Sequence, residues 1–354
     1  RDAGELARLE RIEAEAGRFV RRNAHAFETR RRAGRAVDGH GDLHLQHVWF
    51  ERDDAEPIAI DCLEFDDELR RVDAASEVAF LAMDMRYRGA DALAERFLRV
   101  YAAECDDFDL YRVVDFFESY RAAVRAKVAA IAAGEPEIDA DQRARAAEST
   151  RRHLAQALAA FESERRPALV LVGGAVGTGK STLASALAET LEGVVVSSDR
   201  VRKHRLGLAE TERAPAAAYE ERAKEGVYQA LLERADAVTA SGRVAILDAT
   251  FGARAERLRA HGWASARRLR AWFVETRCAP REAEARLDAR AREGRDASDA
   301  GPELVAASHA SFEPATEWPA ARRRALATDT PDWRAAVPPL AAEIQRTTHD
   351  GVPG

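Results

Sequence analysis

The sequence predicts an α/β chain: a mostly helical first half followed by a parallel five-stranded sheet covered by helices on both faces. Two observations carry the prediction. After Pro167, five short apolar runs (Ala168–Val172, Val194–Ser197, Val244–Leu247, Ala271–Val274 and Arg324–Ala327) alternate with stretches of helical periodicity, as in sheets buried on both faces. Before Pro167, apolar residues recur mainly at three- and four-residue steps, the spacing of one helix face.

In chain order, Leu6, Leu9, Ile12, Ala16, Phe19, Val20 and Phe27 place an amphipathic helix over Glu5–Arg32. The segment His40–Phe50 and the run Pro57–Phe65 read as two β segments flanking a turn. Helices follow over Val78–Met85, Ala92–Glu104 and Phe108–Ala133, the last stopped by Gly134-Glu135-Pro136. An Arg- and Ala-rich helix over Asp141–Glu164 leads to Arg165-Arg166-Pro167, where a domain boundary is expected. The expected domains are residues 1–164 and 165–346, with residues 347–354 a flexible tail.

At 354 residues, with 46% hydrophobic and 32% charged side chains, the chain can bury two cores. A net charge of -7 excludes a dominant non-specific nucleic-acid surface, so nucleic acid is not the expected partner. Cys62, Cys105 and Cys278 stand far apart with no CxxC spacing, which points away from a disulfide framework and towards the reducing cytoplasm. No apolar run approaches the roughly 18 residues needed to cross a bilayer, so no membrane partner is expected. The opening on Arg1 within a helical pattern suggests a piece of a longer protein.

The strongest motif is Gly174-Ala-Val-Gly177-Thr178-Gly179-Lys180-Ser181, which fits G-x-x-x-x-G-K-[ST] after a predicted strand and before a predicted helix. Glycines let the backbone curl round an anion, N–H groups point inward, and the helix start adds partial positive charge. Lys180 supplies a full charge on the nucleotide phosphates, Ser181 a hydroxyl for Mg2+, and Thr182 lies towards the α-phosphate. Leu183, Leu187 and Leu191 line one face of the helix, and Gly193 is placed to end it.

Ligands of open α/β sheets lie beyond the carboxyl ends of the strands, where two aspartates fall. Asp199, after Val194–Ser198, is a candidate general base, with Arg202 to hold an anionic group. Asp248, after Val244–Leu247, is a candidate Mg2+ partner. Either could also cap a helix, and capping and catalysis are compatible. A helix from Pro280 to Gly294 carries Arg286 and Arg290 one turn apart, then Arg292, Arg295 and the polar segment Asp296–Asp299. It reads as a hinged lid whose guanidinium groups neutralise charge in a transition state, or as a solvated basic surface.

The set G-A-V-G-T-G-K-S, S-S-D-R-V-R, L-D-A-T-F and the Arg-rich helix resembles, over about half the chain, the P-loop kinases that include chloramphenicol phosphotransferase, zeta toxins and polynucleotide 5′-kinases. The resemblance implies that Asp199 is the base, Arg202 a phosphate-binding arginine, and Arg286 and Arg290 lid residues. In the first half, His40-Gly-Asp42-Leu-His44, Asp61 in Ile60–Phe65 and the run Asp73–Leu81 resemble the protein-kinase-like C-lobe of aminoglycoside phosphotransferase-like kinases. That likeness implies Asp42 as base and Asp61 as a metal ligand, with His47 where the family has an asparagine. The four lysines, Lys127, Lys180, Lys203 and Lys224, all follow Asp42, and no Gly-rich loop precedes it, so the nucleotide-binding N-lobe is expected to be missing and this half inactive alone. His40, His44 and His47 suit a transition metal only if a fourth ligand is near. Together the halves resemble bacterial two-domain proteins described as aminoglycoside phosphotransferase-like and ATP-binding.

The expected function is an ATP- and Mg2+-dependent kinase acting on an alcohol group of a small molecule. The alternative is an ATP-binding regulatory switch or scaffold without acceptor phosphorylation.

Overall fold

The computed structural model describes residues 3–52, 55–162, 164–293 and 297–346; the tail expected over 347–354 lies outside them. The chain begins with α1 (Ala3–Arg32), β1 (Ala36–Asp38), β2 (Val48–Trp49), β3 (Ile58–Ala59), α2 (Asp67–Arg70), β4 (Arg71–Asp73), α3 (Ala74–Tyr87), α4 (Asp91–Glu104), α5 (Val114–Gly134) and α6 (Ala140–Ala159). It continues with β5 (Ala168–Gly173), α7 (Lys180–Leu191), β6 (Val194–Ser197), α8 (Ser198–Leu206), α9 (Glu221–Ala240), β7 (Val244–Asp248) and α10 (Arg254–Ala266). The last elements are β8 (Arg270–Arg277), α11 (Pro280–Glu293), α12 (Val305–Ala310), β9 (Arg323–Ala327) and α13 (Val337–Arg346). Two compact units result: one holds residues up to Val100 with Asp109–Glu164, and the other holds Tyr101–Phe108 with the chain from Arg165 onward.

The first unit is helical. Helix α3 has every side chain from Ala75 to Met85 buried, the mark of a helix packed on all sides. Around it Ile12, Phe80, Met83, Ala122, Ala126, Leu154, Ala157 and Leu158 form one core. Arg30, buried at the end of α1, makes paired bonds of 2.9 and 2.7 Å to Asp73, whose carboxylate also caps α3 through Ala75 N. The region predicted as β around His40–Phe50 and Pro57–Phe65 supplies only the two-residue antiparallel pair β2–β3. Residues 45–47 form a 3-10 turn, capped when the His44 ring accepts from Gln46 N. The antiparallel pair β1–β4 was not anticipated, because three residues with exposed side chains on β1 carry no apolar signal.

The second unit holds a parallel sheet in the order β6-β7-β5-β8-β9, so the first strand of the unit lies at its centre. All five strands lie where the sequence placed them. Every residue of β5 and β7 is buried, as a central parallel strand requires. Leu183, Leu187 and Leu191 of α7 pack on Val170, Val172 and Ile246 of the sheet, with Val337, Leu340 and Ile344 of α13 in the same cluster. The left-handed residue ending α7 is Glu192 (φ 49°), not Gly193. Gly193 answers to space instead: a Cβ there would lie 3.0 Å from Ile246 Cδ1 and 3.1 Å from Val244 O.

Beyond β7 the chain turns through Phe251, a non-glycine residue at φ 46°. Arg257, fully buried on α10, holds that turn by donating to Phe251 O (2.8 Å) and Gly252 O (3.1 Å), while Glu317 meets it at 2.5 Å. Burial alone would raise the Glu317 pKa, but the Arg257 hydrogen bond and charge outweigh it and hold the carboxyl below its ordinary range. The unfolded chain therefore binds the proton more readily, and this pair stabilises the fold above the ordinary glutamate range and is lost as pH falls below it. Glu317→Ala, which strands a buried guanidinium, should cost about 3–5 kcal/mol in denaturant unfolding at pH 7, and the loss should shrink towards pH 3. A pH-independent loss would show that the carboxylate's charge is not what matters.

Candidate active site at the P-loop

The loop between β5 and α7 follows from three glycines at positive φ: Gly174 (149°), Gly177 (79°) and Gly179 (82°). Two of them also answer to close approach. A Cβ on Gly174 would stand 2.4 Å from Thr276 Oγ1 and 2.5 Å from its carbonyl oxygen, and one on Gly177 would stand 2.8 Å from both the Cβ and the carbonyl oxygen of Ala283 on α11. At Gly179 the space is ordinary and only the backbone angle asks for glycine.

The loop is fastened from several sides. Gly174 N donates to Thr250 O (3.0 Å) and Val176 N to Ser308 Oγ (3.0 Å). The hydroxyls of Thr178 and Thr276 lie 2.7 Å apart, with Ala175 O 2.7 Å from the first and Gly173 O 3.1 Å from the second, so two protons serve three contacts. Thr328, just past β9, donates to Thr178 O (2.8 Å). Thr178, expected at the nucleotide, thus spends its side chain beneath the loop and offers the site its backbone. Above this base the N–H groups of Lys180, Ser181 and Thr182 open α7 and have no acceptor within the helix, so the helix start presents donors and partial positive charge. The Ser181 and Thr182 side chains are exposed there.

Lys180 is half-buried, with Nζ 3.0 Å from Ala175 O. Burial pushes its pKa below the ordinary lysine value; the charges of Asp248 and Asp199 pull it back up, and that of Arg290 adds to the depression. One cation therefore feels both candidate carboxylates and one candidate lid arginine. Asp248 is buried at the end of β7, in register with Val172 and Ser197 on the flanking strands. Asp199 lies in the first turn of α8 and binds Arg202 at 2.5 Å through Oδ1. Carboxylate and hydroxyl oxygens from Asp248 and Ser181 are the hard donors that Mg2+ takes.

Arg286 goes elsewhere. Its guanidinium donates to Thr328 Oγ1 (3.0 Å) and O (2.8 Å) and pairs with Glu282 (2.8 Å), beside Gly179. Arg292 donates to Asp288 O within its own helix. Arg295 and Asp296 lie outside the described residues.

Sequence reasoning missed the support of Arg202. Its guanidinium lies 4.5 Å over the Tyr219 ring, Tyr219 donates to Asp299 Oδ2 (2.7 Å), and Asp299 also accepts from Ala214 N (2.8 Å) and Lys203 (3.0 Å). Burial would raise the Asp299 pKa, but these donors outweigh it and lower it; burial first, then Asp299, raises that of Tyr219. A buried lysine was the available signal: Lys203 is one of four in the chain and is 2% exposed. Thr276, Ser308 and Thr328 carry no such signal.

In the first unit Asp42, His47 and Asp61 do come together. Asp42 Oδ2 lies 3.5 Å from His44 Nε2 and 3.7 Å from His47 Nδ1, and Asp61 Oδ2 lies 3.4 Å from His47 Nε2.

A central strand feeding a glycine loop and a lysine-headed helix, in a 2-3-1-4-5 parallel sheet, defines the second unit as a P-loop kinase-like domain with a nucleotide-binding fold. Residues 169–315 match the family described as AAA domain. Uncharacterized proteins of Mycobacterium tuberculosis (strain H37Rv) and Mycobacterium bovis are each 37% identical to the chain over 250 residues, covering 69% of it and 48% of themselves. The chain thus spans about half the length of these relatives. Among solved structures, a gluconokinase from Sinorhizobium meliloti 1021 aligns with 52% of this chain and 95% of its own at 19% identity and a TM-score of 0.37. A sugar kinase from Janibacter sp. HTCC2649 aligns with 51% and 94% at 14% identity and a TM-score of 0.36. Among the described residues no helix is long and apolar enough to cross a membrane.

The contact between Gly177 and α11 yields a prediction. Gly177→Ala should lower nucleotide affinity by at least about tenfold in calorimetric titration, roughly 1.4 kcal/mol, because both the backbone angle and Ala283 oppose the new methyl. Gly262→Ala, inside α10 with open space around it, should bind normally and gain up to about 1 kcal/mol in stability.

Proposed function

We propose that the domain over residues 165–346 transfers the γ-phosphoryl group of ATP to a hydroxyl of a small-molecule acceptor. The observation that carries this reading is the convergence at the carboxyl ends of the strands: Lys180 in the loop feels the charges of Asp248 and Asp199, and Asp199 is held by Arg202.

The acceptor oxygen forms a bond to the γ-phosphorus as the bond to the bridging oxygen breaks, and ADP leaves with that electron pair. The acceptor proton passes to Asp199, whose Oδ1 already faces Arg202, leaving Oδ2 for the hydroxyl. Lys180 and the N–H groups at the start of α7 bind and orient the phosphates, and Arg290 adds charge where the transferring group becomes more negative. The Ser181 hydroxyl and the Asp248 carboxylate would hold Mg2+, which would supply charge neutralisation to the phosphates. Arg286, fastened to Thr328, positions the lid helix against the loop. The Arg202 guanidinium, stacked on Tyr219, favours an acceptor that carries an anionic or strongly accepting group.

The first unit is read as an aminoglycoside phosphotransferase-like lobe. The support is that Asp42 and Asp61 meet at His47, Asp42 Oδ2 lying 3.7 Å from Nδ1 and Asp61 Oδ2 3.4 Å from Nε2.

Following labelled γ-phosphate from Mg-ATP into sugars, aminoglycosides, nucleosides and oligonucleotide 5′ ends tests the proposal. Product is expected in one small-molecule class, absent with Lys180→Ala. Asp199→Asn should lower kcat by roughly 10²–10⁴-fold with nucleotide binding retained. Tight ATP binding with no labelled acceptor would replace the kinase with a nucleotide-operated switch.

A further inference from the structure

The segment from Asp299 to Glu313 runs past the carboxyl ends of the strands and is tied down at three places. At its start Asp299 Oδ2 accepts from Ala214 N (2.8 Å) and Tyr219 (2.7 Å), and Asp299 pairs with Lys203 of α8 (3.0 Å). At its end Glu313 N donates to Gly252 O (3.0 Å), and the Glu313 carboxylate accepts from Arg254 N at the start of α10. Between these anchors lies α12, whose Val305 is fully buried in a cluster with Ala283 and Leu287 of α11, against which Val176 of the phosphate loop packs. Ser308 follows Val305 by three positions on the same helix face, and its Oγ accepts from Val176 N at 3.0 Å.

Lys180 and Ser308 hang on one peptide group of the loop. The Ala175 carbonyl oxygen, 3.0 Å from Lys180 Nζ, and the Val176 N–H, held by Ser308, belong to the same peptide bond. In a loop of this kind the lysine reaches the β- and γ-phosphates while the helix start lies towards the α-phosphate. The Ala175–Val176 peptide therefore stands at the end of the cradle where the phosphate chain terminates. Ser308 also has a proton to give. Its oxygen accepts from Val176 N, and among the described residues its hydroxyl has no other hydrogen-bond partner. We infer that Ser308 binds the γ-phosphate of the nucleotide, donating its hydroxyl proton to a terminal oxygen, and so lets the site distinguish a nucleoside triphosphate from a diphosphate.

The other hydroxyls around the loop show the contrast. Those of Thr178, Thr276 and Thr328 each reach a carbonyl oxygen beneath it, at Ala175, Gly173 and Thr178. All three threonines are buried, whereas Ser308 is half-buried and takes a hydrogen bond from the loop instead of giving one to it. Lys180 and the N–H groups at the start of α7 attract ATP and ADP alike, because both carry the phosphates that these groups meet first. A hydroxyl that reaches only the terminal group acts on ATP alone, and its bond to a charged oxygen is of the stronger kind. The placement is also well braced: the anchor at Asp299 joins the Ser308 segment to α8, the helix that bears Asp199 and Arg202. The inference rests on the nucleotide-binding reading of the P-loop and not on transfer to an acceptor.

The test is calorimetric titration of the full chain, with Mg2+ and without acceptor, against ADP and against the β,γ-imido analogue of ATP. Ser308→Ala should weaken the triphosphate analogue about tenfold and ADP by less than about twofold, and Ser308→Thr, which keeps the hydroxyl, should restore most of the difference. Equal losses for the two nucleotides would overturn the assignment, since Ser308 would then only brace the loop. Unchanged binding would overturn it too. So would tighter binding of the analogue by the alanine variant, because the serine would then be standing where a phosphate oxygen belongs. A wild-type chain that binds neither nucleotide would sink the P-loop reading and this inference together. A selective loss of the triphosphate in a chain that labels no acceptor would uphold the role of Ser308 while removing the kinase reading.

Discussion

The second unit depends on how a loop rich in carbonyl groups is made to turn its N–H groups outward. Thr178, Thr276 and Thr328, all buried, do this from beneath: their hydroxyls reach carbonyls of Gly173, Ala175 and Thr178, and they come from the loop, β8 and the end of β9. Satisfying those oxygens within the protein leaves the start of α7 to the ligand. The adjacent strands β5 and β8 bring Thr276 under Gly173, so the register of the sheet and the shape of the loop are a single constraint.

The same base reaches the arginine helix. Thr328 receives Arg286 while giving its own proton to Thr178 O, and Ala283 closes against Gly177. Helix α11 is therefore seated on the phosphate loop by a hydrogen-bonded contact and a steric one. Arg290 follows one turn later, close enough to lower the Lys180 pKa. Arg286 and Arg290, equivalent in the sequence, differ because one turn of helix separates a side chain bound to Thr328 from one whose charge reaches the lysine.

What could be read beforehand was whatever repeats locally. Five strands and the loop were visible because apolar runs and glycine spacing are short-range signals. Gly174 and Lys180 could be assigned roles from the motif alone. The Tyr219–Asp299–Lys203 support of Arg202 was not visible, since its members lie up to 96 positions apart and none belongs to a repeating pattern. Thr276 and Thr328 were hidden for the opposite reason: threonine near a strand end is ordinary, and only the third dimension shows what it touches. In the first unit, the motif around Asp42 was legible, but the partners of His47 depended on how the chain returns after β3.

Arg257 has a consequence for how the protein is made. It reaches its final place only when Glu317, 60 residues later, is present to neutralise it. On a ribosome the strand β7 and its turn emerge well before that carboxylate, and burying the guanidinium in the interval would leave a lone charge in the interior. Synthesis therefore imposes an order: the sheet can assemble early, but the turn beside the phosphate loop locks only after most of the domain has been translated. A chain interrupted before Glu317 would own the whole phosphate motif and still lack a settled wall beside it.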